Sequence, residues 1–272
     1  MTTPTTQVEL GDQLPDALAA YYGALDGGRV TEAAACFSAD ATYALPPTGG
    51  VETDPRLVLE GRDDITGHLE RRGAMPFSHR VVLCTVEGVD AAVEGLILEA
   101  GSGTARSSFV ASLQIADDGT IARYLAYASP VVHPQPAVAN PSRGMPGSAI
   151  DKIHEYFHAL DESRFEDAAA CFSVDTLYSH PPYKDPNVGG HGRAEFDGRD
   201  ELIAAFHRRG TQRIDHRIVF HSQRGPHLLL EGVVDDDTGA LLGSFISEAT
   251  LDDDGLIRRY ASWYTQPGVP RR

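Results

Sequence analysis

The sequence predicts an α+β protein built from two similar domains. Three observations predict it: a gap-free internal repeat, helical periodicity followed by a run of strands inside each copy, and a Pro- and Gly-rich stretch between the copies. Residues 21–47 (YYGALDGGRVTEAAACFSADATYALPP) align with 156–182 (YFHALDESRFEDAAACFSVDTLYSHPP), identical at 15 of 27 positions. The match resumes after a loop two residues longer in the second copy: EGRDDITGHLERRG (60–73) with DGRDELIAAFHRRG (197–210), SHRVVL with DHRIVF, VEGLI with LEGVV, and DDGTIARYLAY (117–127) with DDGLIRRYASW (253–263). A period of about 136 residues is too long for a solenoid and means two whole domains. The expected bounds are 1–130 and 149–272, joined by a linker at 131–148.

The elements follow in order in the second copy. Ile153, Tyr156, Phe157 and Leu160 recur at helical spacing across 150–160, and FEDAAACF (165–172) reads as a short second helix. A brief strand, TLYSH, stops at Pro181-Pro182, because proline cannot continue a ladder. GRDELIAAFHRRG is a helix ended by Gly210. Four strands follow, at 215–222, 227–234, 241–251 and 257–265, separated by polar breaks, and adjacent strands of this kind pair as an antiparallel meander. Period two places His216, Ile218 and Phe220 on one strand face.

Composition bounds the function. Of 272 residues, 42% are apolar and 23% charged, a globular balance that excludes a disordered tail, a collagen repeat or a coiled coil. The net charge of -16, from 23 basic and 39 acidic residues, repels phosphate backbones and anionic lipid, so neither nucleic acid nor membrane is an expected partner. No apolar run approaches the roughly 20 residues of a membrane span. The first residues lack the basic and apolar regions of a secretory signal, and three cysteines form no disulfide framework, so the expected compartment is cytoplasmic.

The motifs ALDxxRxxxAAACFSxD, the strand ending in YALPP or YSHPP, the GRD opening the third helix and the closing DDGxIxRY resemble the nuclear-transport-factor-2-like superfamily, in its SnoaL-like polyketide cyclase and ketosteroid-isomerase-like branch. The resemblance implies two cone-shaped domains, each a curved antiparallel sheet with about three helices on its concave face around an apolar pocket. It also implies a cofactor-independent enzyme doing acid/base chemistry on a largely apolar small molecule: isomerisation, cyclisation, dehydration or epoxide opening. The general base falls on the residue before the strand-ending proline, which is Leu45 in the first copy and His180 in the second. A first-helix tyrosine donor falls on Tyr21 and Tyr156. The late-strand acid of the isomerases falls on Ala111 and Ser247, neither of them acidic. Because the family commonly dimerises through its sheets, the resemblance implies an intramolecular pseudo-dimer of the copies and leaves a further homodimer open.

The copies differ where that chemistry needs a base. Leucine cannot move a proton, whereas an imidazole titrates near neutrality. Eight of the eleven histidines lie in the second copy, so that copy is expected to be active and the first degenerate. The expected catalytic residues are His180, Tyr156, His216 and Glu231, the last two orienting or relaying. Tyr178, Ser247, Tyr260, Ser262 and Tyr264 are the expected substrate contacts, with Trp263 facing the other way. His216 has a counterpart in His79, and Glu231 in Glu94, which also fits structural roles. Cys36 and Cys171 match within alanine-rich helices and read as small hydrophobes. His154-Glu155-Tyr156-Phe157-His158 satisfies HExxH, but on a helix the histidines lie roughly 160° from Tyr156, away from any pocket it faces. A metal-dependent hydrolase using such histidines, or His180, His191 and His216, is the minor alternative; no metal or cofactor is expected. The main alternative is a non-catalytic binding or resistance module, and a third is a purely structural duplication.

Overall fold

A computed structural model describes residues 10–45, 57–131, 148–181 and 193–265. The chain divides into two compact units, Met1–Val131 and Val132–Arg272. His191 and most of the 131–148 stretch lie outside the described residues.

In the first unit β1 (Leu10–Gly11) precedes α1 (Asp16–Asp26), α2 (Val30–Ala35), β2 (Phe37–Leu45), β3 (Leu57–Glu60), α3 (Arg62–Arg72), β4 (Phe77–Glu87), β5 (Asp90–Glu99), β6 (Ala105–Ile115) and β7 (Ile121–Ser129). The second unit repeats the order: α4 (Ala149–Asp161), α5 (Phe165–Ala170), β8 (Phe172–His180), β9 (Ala194–Asp197), α6 (Arg199–Arg209), β10 (Ile214–Arg224), β11 (His227–Asp236), β12 (Leu241–Leu251) and β13 (Ile257–Thr265). Their sheets run β1-β4-β5-β6-β7-β2-β3 and β10-β11-β12-β13-β8-β9.

The last four strands of each unit form the antiparallel meander. The strand after the second helix then joins the last strand in parallel, which sets Tyr43 beside Tyr124 and Tyr178 beside Tyr260. Each sheet keeps one face against its three helices. In the second unit Ile153, Tyr156, Phe157 and Leu160 of α4, Ala168 and Ala169 of α5, and Leu202, Ala205 and Phe206 of α6 bury against Leu228, Leu230, Phe245, Ala249 and Tyr260 of the strands. On α4 those apolar positions sit at i, i+3, i+4 and i+7, one stripe facing the core. α3 and α6 end where Gly73 (φ 67°) and Gly210 (φ 68°) adopt a left-handed backbone, each N–H donating to the carbonyl four residues back.

Three local readings change. The second helix stops at Ala170, because buried Phe172 already begins β8. That strand is four residues longer at its start than TLYSH, with a register shift between Phe172 and Leu177 that hides its alternation. The short β9 and its counterpart β3 were not anticipated, although β9 alternates buried Ala194 and Phe196 with exposed Glu195 and Asp197.

Candidate active site

The second unit pairs a helix end with a strand start. Asp161 is the last residue of α4, where a carboxylate meets the negative end of the helix dipole and needs a donor to offset it. Two donors come from His216 on β10: its backbone N–H to Oδ2 at 2.9 Å and its ring Nδ1 to Oδ1 at 2.6 Å. This grip fixes the tautomer. With Nδ1 donating to the carboxylate, Nε2 is the ring nitrogen that carries the lone pair. The ring stacks on Phe157 at 4.7 Å and 13° and meets the edge of Phe245 at 5.9 Å. The His216 and Asp161 side chains keep 13% and 12% of their exposure, enough for access and little enough to limit hydration.

The first unit repeats the arrangement almost atom for atom. His79 donates from its backbone to Asp26 at 2.9 Å and from Nδ1 at 2.6 Å, and its ring stacks on Tyr22 at 4.8 Å. Asp26 and Asp161 are not among the site residues that the sequence reading singles out. Their signal lay in the sequence, since both copies read ALD at the end of the first helix and both place a histidine at the start of the following long strand.

His180 ends β8, half-buried, parallel to the ring of Tyr178 at 6.3 Å. Its Nδ1 donates to the Pro181 carbonyl at 2.8 Å. Burial pushes its pKa down to about 3, and the positive charges of Arg193 and Arg209 and the nearby His216 push the same way. The ring is therefore neutral across the physiological range: a weak base, and no source of protons.

Tyr156 bonds through its hydroxyl to that of Tyr178 at 3.2 Å. Tyr178 stacks on Tyr260 at 5.2 Å, and Ser247 bonds to the Tyr260 hydroxyl at 2.9 Å and the Ser262 hydroxyl at 3.0 Å. These hydroxyls share the helix-facing side of the sheet with His216, and half-buried Tyr264 packs against the same core. Trp263 is buried on the other face, under the guanidinium of Arg193 at 5.0 Å.

Glu231 does not join His216. The register pairs His216 with Val234, which faces the helices, so Glu231, three residues earlier on β11, points to the opposite face. Phe220 leaves the expected face as well. A bulge between Ile218 and Phe220 skips Val219 and sets Phe220 opposite Glu231.

His154 and His158 are exposed, Glu155 pairs with Lys152 at 2.5 Å, and Tyr156 is buried on the far side of α4, so HExxH does not face the interior. Among the described residues no three His, Cys, Asp or Glu side chains are grouped to hold a metal. Burial raises the Cys171 thiol to about 11 and Cys84 to about 12, which suppresses the thiolate. Two surface clefts, of about 280 and 270 Å³, lie in the first unit beside Glu60–Asp64 and Gly28–Glu32, and neither touches a candidate residue. No helix among the described residues is long and apolar enough to cross a membrane.

Each unit is thus an α+β cone, a curved sheet closed on one side by three helices, with polar groups set among aromatic rings on the enclosed face. Residues 18–124 match the family model of the SnoaL-like domain. The match lies within the first unit, and the repeat with its matching element order extends the same fold to the second. Solved structures similar to the chain include a proposed ketosteroid isomerase from Kribbella flavida (23% identity, 49% of this chain and 90% of that one, TM-score 0.34). They also include a proposed polyketide cyclase from Sinorhizobium meliloti (22%, 42% and 94%, TM-score 0.32) and an epoxide hydrolase of the LEH-like type from M. tuberculosis (16%, 43% and 81%, TM-score 0.33). No curated protein matches the chain significantly.

Proposed function

We propose that this chain is a cofactor-independent acid/base enzyme acting on a small, largely apolar metabolite, and that the His216–Asp161 pair moves the proton. The observation that carries this reading is the 2.6 Å Nδ1–Oδ1 contact, which fixes the imidazole with Nε2 as its base. Nε2 would remove a proton from carbon or oxygen, Asp161 would stabilise the imidazolium, and the linked hydroxyls of Tyr156 and Tyr178 would donate to the oxygen that gains charge. Such a step serves isomerisation, cyclisation, dehydration or epoxide opening alike. His180, held neutral, is better suited to orient a substrate by hydrogen bonding than to act as its base. Ser247, Tyr260, Ser262 and Tyr264 would line the approach.

The test is proton exchange itself. The protein is incubated in D2O with a panel of enolisable and unsaturated ketones, and deuterium uptake is read by mass spectrometry. Uptake should vanish in His216→Ala and fall steeply in Asp161→Asn; uptake that persists in His216→Ala overturns the assignment.

A second reading has its own observation. The pair recurs in both units with an aromatic stack, and the tyrosine hydroxyls satisfy one another, as expected of a binding module whose interior is held by packing. A ligand bound tightly and recovered unexchanged from D2O would favour it.

A further inference from the structure

The first unit holds a second constellation that its proton-handling pair does not use. α3 carries His68 and Arg72 four residues apart, one turn along the same side. The Nε2 of His68 and the Nε of Arg72 are both sealed from solvent, and neither has a hydrogen-bond partner among the described residues. Buried polar nitrogens left unmatched are rare in native proteins, and an ordered water, an ion or a bound ligand is what ordinarily matches them.

The surroundings say what would match them. The His68 ring lies against Tyr43, centroids 6.3 Å apart. Tyr43 bonds to the Tyr21 hydroxyl at 2.7 Å and stacks on Tyr124 at 5.4 Å and 15°. The Arg72 charge reaches all three phenols, opposing the upward push that burial gives their pKa values. So the end of α3 holds an imidazole against a cluster of aromatic rings, and a guanidinium near enough for its charge to act on them. No carboxylate of the described residues pairs with that guanidinium, although the chain carries 39 acidic residues. The second unit lacks the combination, having Ala205 where the first has His68, although Arg209 stands in the place of Arg72.

We propose that the first unit binds a small acidic ligand: a carboxylate accepting from Arg72 Nε and His68 Nε2, carried on a flat apolar body that lies along Tyr43. A planar oxyanion offers two oxygens and a negative charge to two N–H donors side by side, whereas a neutral amide offers one uncharged acceptor oxygen and a cation none. This site does not depend on whether either unit turns over its ligand. It makes the first unit a recognition unit rather than a degenerate one.

The experiment titrates the full-length protein with benzoate and, separately, with benzamide as its neutral isostere. Affinity is read by calorimetry and the His68 ring by long-range 1H–15N correlation. Benzoate should shift the His68 Nε2 resonance and bind at least about tenfold tighter than benzamide. Arg72→Gln and His68→Ala should each weaken benzoate by about tenfold or more, and Arg209→Gln should leave it within about twofold. His68→Ala installs the side chain that the second copy accommodates at that place. Equal binding of benzoate and benzamide, a silent His68 in the wild-type protein, or a loss in Arg209→Gln matching that in Arg72→Gln overturns the proposal.

Discussion

The two units share a backbone plan and one polar device, and differ in what surrounds it. Both pin a helix-terminal aspartate to a histidine at 2.6 Å and stack that histidine on an aromatic ring. Around this common part the first unit sets Tyr22, His68, Leu45 and Ala111, where the second has Phe157, Ala205, His180 and Ser247. The difference teaches how to divide the chemistry. What both copies keep fastens α1 or α4 to the sheet and, under the proposed function, moves the proton. What each copy alone holds is what can distinguish one ligand from another. A histidine present in one copy draws attention as a catalyst, yet His180 is neutral and held by the carbonyl beside it.

The sharpest way to break the comparison is to remove the shared pair from one unit at a time. His216→Ala should lower deuterium exchange by about 10²–10⁴-fold, the range a positioned general base supplies. His79→Ala reports whether the first unit's pair contributes to the same exchange. An equal loss in both would mean that the units act on the same substrate; an unchanged rate would confine turnover to the second.

Next in size are changes to packing under the shared pair. Phe157→Ala removes the ring on which His216 stacks and leaves a core void, so urea or guanidinium unfolding should show a loss of about 3–5 kcal/mol. Phe157→Tyr, which installs the first unit's side chain, should cost much less, since Tyr22 finds a partner in the Tyr124 hydroxyl and Tyr260 is that residue's counterpart.

Next comes a polar difference on the opposite sheet face. Glu248 and Arg259 form a buried ion pair, in which Glu248 also accepts from Thr250 at 2.5 Å. The first unit places Ser112 where the second has Glu248. Glu248→Gln removes one negative charge from this buried pair while keeping its shape, and should lower the midpoint of chemical denaturation.

The smallest effect is the pH dependence that His180 gives the second unit. In the unfolded chain His180 takes a proton near its ordinary pKa of 6.5, while the folded chain resists until about 3. The unfolded state therefore binds the extra proton first, and stability falls as pH drops from about 6.5 towards 3. His180→Leu, which copies the first unit's Leu45, should flatten that part of the curve. Comparing urea midpoints of the two proteins at pH 7 and at pH 4.5 reads the difference; parallel curves would place His180 in an environment as wet as the unfolded chain.

Much of this protein was legible from its residues alone. The duplication, the order of helices and strands, the meander bounds at 241–251 and 257–265, the outward set of HExxH and the turn of Trp263 away from Tyr260 and Tyr264 all follow from periods of 2 and 3.6 and from glycine and proline chemistry. These are local rules, and each copy provided a check on the other. What the tertiary structure alone decided was partnership across the chain. Asp161 and His216 are 55 residues apart, and no periodicity states that a helix end will meet a strand start. Glu231 is expected from the sequence to orient or relay with His216, but strand register sends the two to opposite faces. One skipped residue at Val219 likewise turned Phe220 over. Pairings of this kind depend on how sheet register and helix docking close together, so they emerge only when the whole unit has folded.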